Sequence, residues 1–600
     1  MTWKSIAAAA VAAFLLGAVH RPAPLIVYSA PAASRPAGAD SIHPTTATLP
    51  DGRIAAPVGE STFVGTNPLG MALTPDGRFA IVSNDDERTN DLPAPRTDSP
   101  PVSGFSLAVV DTRTMQLAST YRDPAAAFFI GVAAVAEAGG TIVLASDGPH
   151  GVVRVFDLGA DGRLTPEART IALPSNGGRR AFPAGIAVAG GGKTAYVADN
   201  FNGAVIAIDV ASRAVTRSFA AGNFPLDVAA AGRHVLISAG GLAAYSPLDP
   251  PARFPQFAAP AFDPNRSSAL DVLNLLADGT AAADPDVVRM DPAPDGSKVV
   301  GGAAPGAIAL RRDGRLAYVA MSNVDRVAVV SLASETPRVV RGLDLRLYPD
   351  APYGAEPSAE ALSKDGKRLY VALAGLNAVA VLDARSSTRY RYGLIPTGWY
   401  PTALALSPNG RYLYVASAKG VDGWGMLSRV DLKHTSLVKA TMSALRYDRT
   451  AGIAKENPIV PPLRSGKRSS AIARIVYVAV GRTAYDGMLG DLKDAAGAAL
   501  GNGNPDFERY PPSVTPNVHA LARTFALADN FYASDADIEI ARQYATQAGA
   551  PAYAQLTARL RSNRNPFDGS DDPEDYERAG YLFNALARAG ASFRDYGGLL

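Results

Sequence analysis

Residues 359–384 read AEALSKDGKRLYVALAGLNAVAVLDA, and the grammar of this stretch decides the fold. A short apolar run meets the turn Asp365-Gly366, a second run carries Tyr370-Val371-Ala372, and a polar bend leads to a third run, AVAVLD. Glycine after Asp or Asn tolerates positive φ, which favours a tight hairpin. The third run is apolar at nearly every position, whereas a strand with one wet face would alternate. Both of its faces are therefore expected to be covered.

The same pattern recurs in both directions along the chain. GIAVAGGGKTAYVADNFNGAVIAIDV (185–210), AIALRRDGRLAYVAMSNVDRVAVVSL (307–332) and ALALSPNGRYLYVASAKG (403–420) align with it. Weaker copies are GMALTPDGRFAIVSNDD (70–86) with SLAVVDTRT (106–114), GVAAVAEAGGTIVLASDGPHGVVRVFDL (131–158) and LDVAAAGRHVLISAGG (226–241). Pro183 and Pro225 are 42 residues apart and Pro357 and Pro401 are 44 apart, within the roughly 40–50 of a propeller blade. Pro225 and Pro305 are 80 apart, which implies an insertion near 250–300 or an additional blade. Starts near 68, 131, 183, 225, 305, 357 and 401 predict about seven small sheets packed radially, a mainly β architecture.

Tyr-Val-Ala followed by Asp or Asn, with an (Asp/Asn)-Gly turn before it, resembles the YVTN-type β-propeller repeat of exported and surface-layer proteins. The resemblance covers about residues 60–425 and implies a fold more than a function, because propellers host many activities. Blade geometry puts the polar turns after the second strand on one face with the loops that lead into each blade. Asp85, Asp199, Asn200, Asn323 and Asn377, with Trp399 and Tyr400, are the candidate ligand-binding residues of that face. The competing reading is structural: Asn and Asp make Asx turns and the aromatics pack between blades. Asp147 belongs to the same set, and His150 is expected to be solvated.

Composition narrows the rest. The chain has 600 residues, 47% hydrophobic and 19% charged, so it can bury a large core. Its 58 basic and 56 acidic residues leave a formal charge of +2 and no electrostatic footprint for nucleic acid. There is no cysteine, which excludes disulfides, thiolate metal sites and cysteine nucleophiles. Lys4 followed by the small and apolar run from Ile6 to Val19 reads as an export signal within 1–30, cleaved between Gly17 and Ala33. The run is shorter than the roughly 20 residues of a membrane span, so a periplasmic or secreted protein without a transmembrane anchor is expected. Residues 31–60 read as a flexible linker rich in Ala, Pro, Ser and Thr. The propeller is assigned to 61–425 and a second linker to 426–470, with the solvated basic run at 464–468.

From 471 to 600 the texture changes to α/β. ARIVYVAV (473–480) reads as a buried strand, Thr515-Pro516 as a helix start, and Asp572-Pro573 as the start of a later helical stretch. AYDGMLGDL (484–492), GNGNPDF (501–507), TPNVHALARTFALADNFY (515–532) and AGYLFNALARAGASFRDYG (579–597) resemble the phosphoesterase branch of the alkaline-phosphatase superfamily, including its fusions with a YVTN propeller. That resemblance implies a metal held by carboxylate and amide oxygens and a hydroxyl nucleophile activated by it. The family's first signature resembles Lys-Glu-Asn-Arg-Thr-Tyr-Asp, and its Glu and Asn fall here on Gly481 and Arg482. Its second resembles Ser-Ala-Asp-Gly-His, and its Ser, Asp and His fall on Ile538, Ile540 and Arg542. Glycine offers no ligand and arginine is a fixed cation, so no catalytic residue and no metal are expected there. The family's core also extends beyond the equivalent of Tyr596-Gly597, so a partial α/β segment is expected.

The leading expectation is an exported propeller that binds a cell-envelope ligand or protein and carries a catalytically inactive phosphoesterase-like segment. One alternative is a metal-dependent hydrolase of phosphate mono- or diesters, the only case that calls for a divalent cofactor. Another is a surface-layer or assembly module. The acidic run Asp568 to Asp572 lacks the closing glutamate of an EF-hand calcium loop.

Overall fold

The computed structural model describes residues 26–27, 38–39, 46–49, 54–85, 105–189, 191–240, 268–277, 282–290, 303–334, 336–346, 354–385, 392–421, 423–435, 437, 463–464, 474–481, 483–525, 527–529, 538–547, 549–557, 582–594 and 596. Seven antiparallel sheets form blades of a β-propeller. Their first strands are Pro68–Leu73, Phe128–Glu137, Pro183–Ala189, Pro225–Ala231, Pro305–Leu310, Pro357–Leu362 and Trp399–Leu406. Each touches the first strand of the next blade, and the seventh touches the first, so these strands wall a central channel.

Each repeat folds locally as its turns dictate. Gly77, Gly314, Gly366 and Gly410 all have φ near +70°, at 72, 68, 66 and 71°. In three of these hairpins a hydroxyl locks the turn: Thr74, Ser363 and Ser407 bond Asp76, Asp365 and Asn409 at 2.6, 2.6 and 2.7 Å. The same hydroxyls accept the amides of Phe79, Arg368 and Tyr412, which start the second strand. The third runs are covered on both faces, as in Ala378–Asp383, where every residue is buried. Val197, Ile206, Leu236, Val319 and Leu369 and their neighbours fill one apolar cluster between each adjacent pair of blades. Each such side chain contributes about 1.5–3 kcal/mol by leaving water.

The ring closes with a strand from the other end of the chain. The seventh blade holds Trp399–Leu406, Tyr412–Gly420 and Gly425–Asp431, and its outer strand is Glu60–Gly65, with Met426 opposite Phe63 and Leu427 opposite Thr62. Nothing in the repeat pattern signalled this pairing, because Glu60–Gly65 has no sequence neighbour to fold against. The 80-residue spacing resolves as one blade, Pro225–Ala231, His234–Ala239, Ala269–Asn274 and Asp286–Arg289, with the extra length between its second and third strands. Part of the segment expected to be a tether is packed instead. Ala47, Leu49 and Ala55 are buried against Trp399, Val421 and Met426, within a small sheet of Gly38–Ala39, Ala47–Thr48 and Ile54–Ala55.

Beyond the propeller the described residues form helices Asp486–Leu489, Pro516–Thr524, Ile538–Gln547, Ala552–Thr557 and Leu582–Arg588. Pro516 opens its helix as expected, while Asp572-Pro573 and the acidic run 568–572 lie outside the described residues. Of the strand expected at 473–480 the described part is not a strand: 474–481 have no regular secondary structure, with Ile475, Val476 and Val478 84, 87 and 73% exposed. No second strand lies beside it among the described residues, and an apolar run without an edge to pair with cannot become a buried strand. The α/β sheet expected for 471–600 is accordingly not formed among the described residues.

Candidate functional site

The candidate residues of the propeller face lie where second strands end and first strands begin, as the pairings Phe128↔Asp147 and Pro183↔Asp199 show. Their polar atoms engage backbone. Asp199 accepts the amide of Phe182 at 2.9 Å and the side-chain amide of Asn202 at 2.8 Å, while burial raises its carboxyl above the ordinary aspartate range. Asn200 donates to the Pro225 carbonyl, and Asn377, at φ +52°, accepts the amide of Tyr400. Asp85 and Asn323 are buried, and the Asn323 amide reaches the Ala303 carbonyl. Asp147 accepts the Ala127 amide and pairs with Arg154 and, at 2.6 Å, with His150, so His150 is a partner of Asp147 rather than a merely solvated ring. Trp399 carries the Lys419 ammonium over its ring at 5.1 Å.

Asp325 belongs to the same family of staples, and the sequence reading missed it. It accepts the amides of Gly354, Ala355 and Glu356 at 2.8, 3.0 and 3.0 Å, and burial still raises its pKa to about 6. It sits one position past a short 3-10 turn, Ser322–Val324, with φ +49°, the place that Asn377 takes after Ala374–Leu376 in the next blade, and so lies beyond the strand end that Asp147 and Asp199 occupy.

The channel holds a cavity of about 210 Å³ lined by first-strand residues of all seven blades. Close approach explains the small residues there. A Cβ on Gly70 would lie 2.0 Å from the Ile130 carbonyl oxygen, and one on Gly131 would lie 2.1 Å from that of Ala184. Two acids break this run of small and apolar residues. Asp227 accepts the Val228 amide at 2.9 Å and, across to the next blade, the Ile308 amide at 3.0 Å. Burial raises its pKa to about 6. Glu360 also faces the cavity, and neither of its carboxylate oxygens has a hydrogen-bond partner among the described residues. Burial pushes its carboxyl well above the ordinary range; the Ala309 amide offsets part of this, and the charge of Asp227 adds to it. Both residues touch the cavity and are half-buried. In the sequence each is a lone acid in an apolar first strand, PLDVAAA and PSAEAL, and that anomaly was the available signal.

Glu360 also borders a groove of about 550 Å³ between the fifth and sixth blades, lined by Arg311, Arg312, Lys364, Lys367 and Arg385. This groove lies by the hairpin turns, at the opposite end of the blades from the staples. At the staple end, helix Ala552–Thr557 covers the channel. Leu556 packs with Leu69, Phe129, Phe182 and Leu226, and Ala552 and Leu556 both line the cavity.

The positions aligned with phosphoesterase signatures show no catalytic grouping among the described residues. Gly481 is exposed coil, Arg482 lies outside the described residues, and Ile538, Ile540 and Arg542 lie on helix Ile538–Gln547. Ile540 is buried against Ala550 and Ala554.

The fold and channel define a seven-bladed β-propeller with an internal carboxyl pair. The family described as "Lactonase, 7-bladed beta-propeller" matches residues 282–422, which include Glu360 and stop short of Asp227. No curated protein matches the chain. Among solved structures, a Kuenenia stuttgartiensis hydrazine synthase matches at 19% identity and TM-score 0.42, over 61% of this chain and 96% of its own. A structure of U3-55K matches at 11% identity and TM-score 0.43, over 61% and 98%.

Proposed function

We propose that the protein is an exported propeller whose channel binds a small hydroxylated acid or its lactone, entering through the basic groove between blades five and six. The observation that carries this reading is Glu360: a carboxyl whose oxygens make no hydrogen bond of normal geometry among the described residues, the Ala309 amide being its nearest help, in a cavity large enough for a small molecule. Leaving a buried polar group unmatched costs about 1–3 kcal/mol, and a ligand hydroxyl or carbonyl would offset that cost. Burial and the charge of Asp227 favour the protonated, hydrogen-bond-donating form of Glu360, while Asp227, at about 6, is ionised near neutral pH and accepts. The five cationic side chains of the groove outnumber its acids, Asp313, Asp365 and Glu360, although Arg311 and Lys367 pair with the two aspartates, and the net positive lining favours an anion.

A second reading is hydrolysis of a cyclic ester, favoured by the partial match to the lactonase family over Glu360. Asp227 would accept the proton of an attacking water and Glu360 would protonate the departing alkoxide, a pair whose environments separate their roles. In either reading the export signal of 1–30, the linkers at 31–60 and 426–470 and a non-hydrolytic phosphoesterase-like segment over 471–600 belong to the proposal, supported by the sequence phrases alone. No helix among the described residues is long and apolar enough to cross a membrane.

Calorimetry with a panel of aldonic acids, and pH-stat assays with their lactones, test this on the wild type and Glu360→Gln. Binding that weakens at least tenfold in the variant supports the channel, and lactone turnover lost in the variant supports the second reading. No binding and no turnover would leave the channel a structural void. Metal-dependent turnover of aryl phosphates would instead restore a phosphoesterase.

A further inference from the structure

Between residues 483 and 525 the described chain has almost no core. Phe507, Val514, Leu521 and Phe525 are 59–70% exposed, and Leu492 is the one large apolar side chain that is fully buried. The most buried side chain there is polar: His519, at 0% exposure. It sits on helix Pro516–Thr524 and faces two carboxylates, Asp491 and Glu508, from two different loops. One ligand atom from each of the three residues lies within 4.8 Å of the others.

The hydrogen bonds fix which ring nitrogen is available. His519 Nδ1 lies 2.9 Å from the Thr515 carbonyl oxygen, which can only accept, so Nδ1 carries the proton. The Thr515 hydroxyl, 3.0 Å from the same nitrogen, donates to the Tyr510 carbonyl and so accepts as well. In the neutral ring Nε2 then presents a lone pair, and it points at Asp491 Oδ1, 3.2 Å away. A lone pair facing a carboxylate needs a positive charge on or between them. Among the described residues no Lys or Arg forms an ion pair with Asp491 or Glu508. Two ligands held about 2.1 Å from one cation, at tetrahedral to octahedral angles, lie roughly 3.0–3.4 Å apart, which matches this separation. A histidine whose other nitrogen donates to a backbone carbonyl is the usual state of a metal ligand.

We propose that Asp491, Glu508 and His519 bind one divalent cation of borderline softness, Mn²⁺ or Zn²⁺, which pins two loops and a helix where an apolar core is missing. One nitrogen and two carboxylates suit these ions; the sequence reading expected no metal because the signature positions Gly481 and Arg482 are substituted, and Asp491, Glu508 and His519 form no compact motif that would have drawn attention. These residues do not coincide with the substituted signature positions, so the clip is independent of any phosphoesterase chemistry.

The test uses the full chain without a histidine tag, stripped with chelator and titrated calorimetrically with Mn²⁺ and with Zn²⁺. Mn²⁺ electron paramagnetic resonance and melting curves run alongside. The expected result is one equivalent bound, a higher melting temperature on binding, and affinity reduced at least tenfold in Glu508→Gln and His519→Gln. Should His519→Gln fail to fold, Glu508→Gln decides, since its Oε1 still accepts the Tyr510 amide. Absence of binding in the wild type, or equal affinity in wild type and Glu508→Gln, overturns the proposal and leaves a protonated His519 paired with Asp491.

Discussion

The third strand of the third blade reads AVIAID (204–209), and the run after the second linker reads IVYVAV (475–480). In composition they are nearly interchangeable. In the fold Val205 and Ile206 are sealed at 0 and 1% exposure, whereas Ile475 and Val476 are 84 and 87% exposed. The difference lies in what surrounds them. AVIAID has a hydrogen-bonded strand on each edge and a neighbouring blade on each face, while IVYVAV has neither among the described residues. Apolar character supplies the drive for burial, and only partners supply the place.

The largest expected break in this contrast is steric. Gly131→Val would drive a Cβ into the Ala184 carbonyl oxygen, backbone that cannot yield without moving a neighbouring blade. Unfolding midpoints in urea should fall by the equivalent of 4 kcal/mol or more, on the order of the most severe substitutions known. Gly497→Ala, with φ +81° and no atom within 4 Å of the new Cβ, should cost only about 1 kcal/mol. Equal losses would mean that the two regions are equally tight.

Core truncation sharpens the contrast one step down. Leu236→Ala, at 0% exposure, is expected to cost about 2–5 kcal/mol. Leu521→Ala, at 59% exposure, should stay within about 0.5 kcal/mol in the same unfolding experiment.

Titration adds a smaller effect confined to the propeller. Asp227 and Asp325 hold pKa values of about 6, and Glu360 lies well above its ordinary value. Each binds its proton more tightly folded than unfolded. Their contribution is fully present below the ordinary carboxylate pKa and is lost as pH rises through about 6 and, for Glu360, beyond. Melting temperatures should therefore fall between about pH 4 and pH 6 and go on falling above that as Glu360 ionises, and Glu360→Gln should flatten that later decline. An unchanged slope in the variant would show that Glu360 ionises freely. Finally, Val476→Lys should leave the unfolding midpoint unaltered while reducing aggregation measured by light scattering, because it interrupts an exposed apolar run.

The legible parts of the molecule were local and repeated. Asp365-Gly366 and its counterparts announced hairpins, and unbroken apolar third runs announced strands covered on both sides. The staples Asp147, Asp199, Asn200 and Asn377 were legible as a shared face, but their engagement with backbone amides was not, since an Asp that binds a ligand and one that caps a loop look alike in one dimension. Asp227 and Glu360 were passed over for a related reason. A lone acid in an apolar strand is visible as text, yet its meaning depends on seven strands converging on one axis.

Local chemistry in the sequence therefore determined the blades, about seven of them, and the side on which their polar turns gather, because turn preference and apolar periodicity act over a few residues. Tertiary structure decided the rest: the closure of blade seven by Glu60–Gly65, the helix over the channel, the isolation of Glu360, and the meeting of His519 with Asp491 and Glu508. Each of these joins segments far apart in the chain. Such contacts depend on where the packed core brings the backbone, and no short-range preference encodes that.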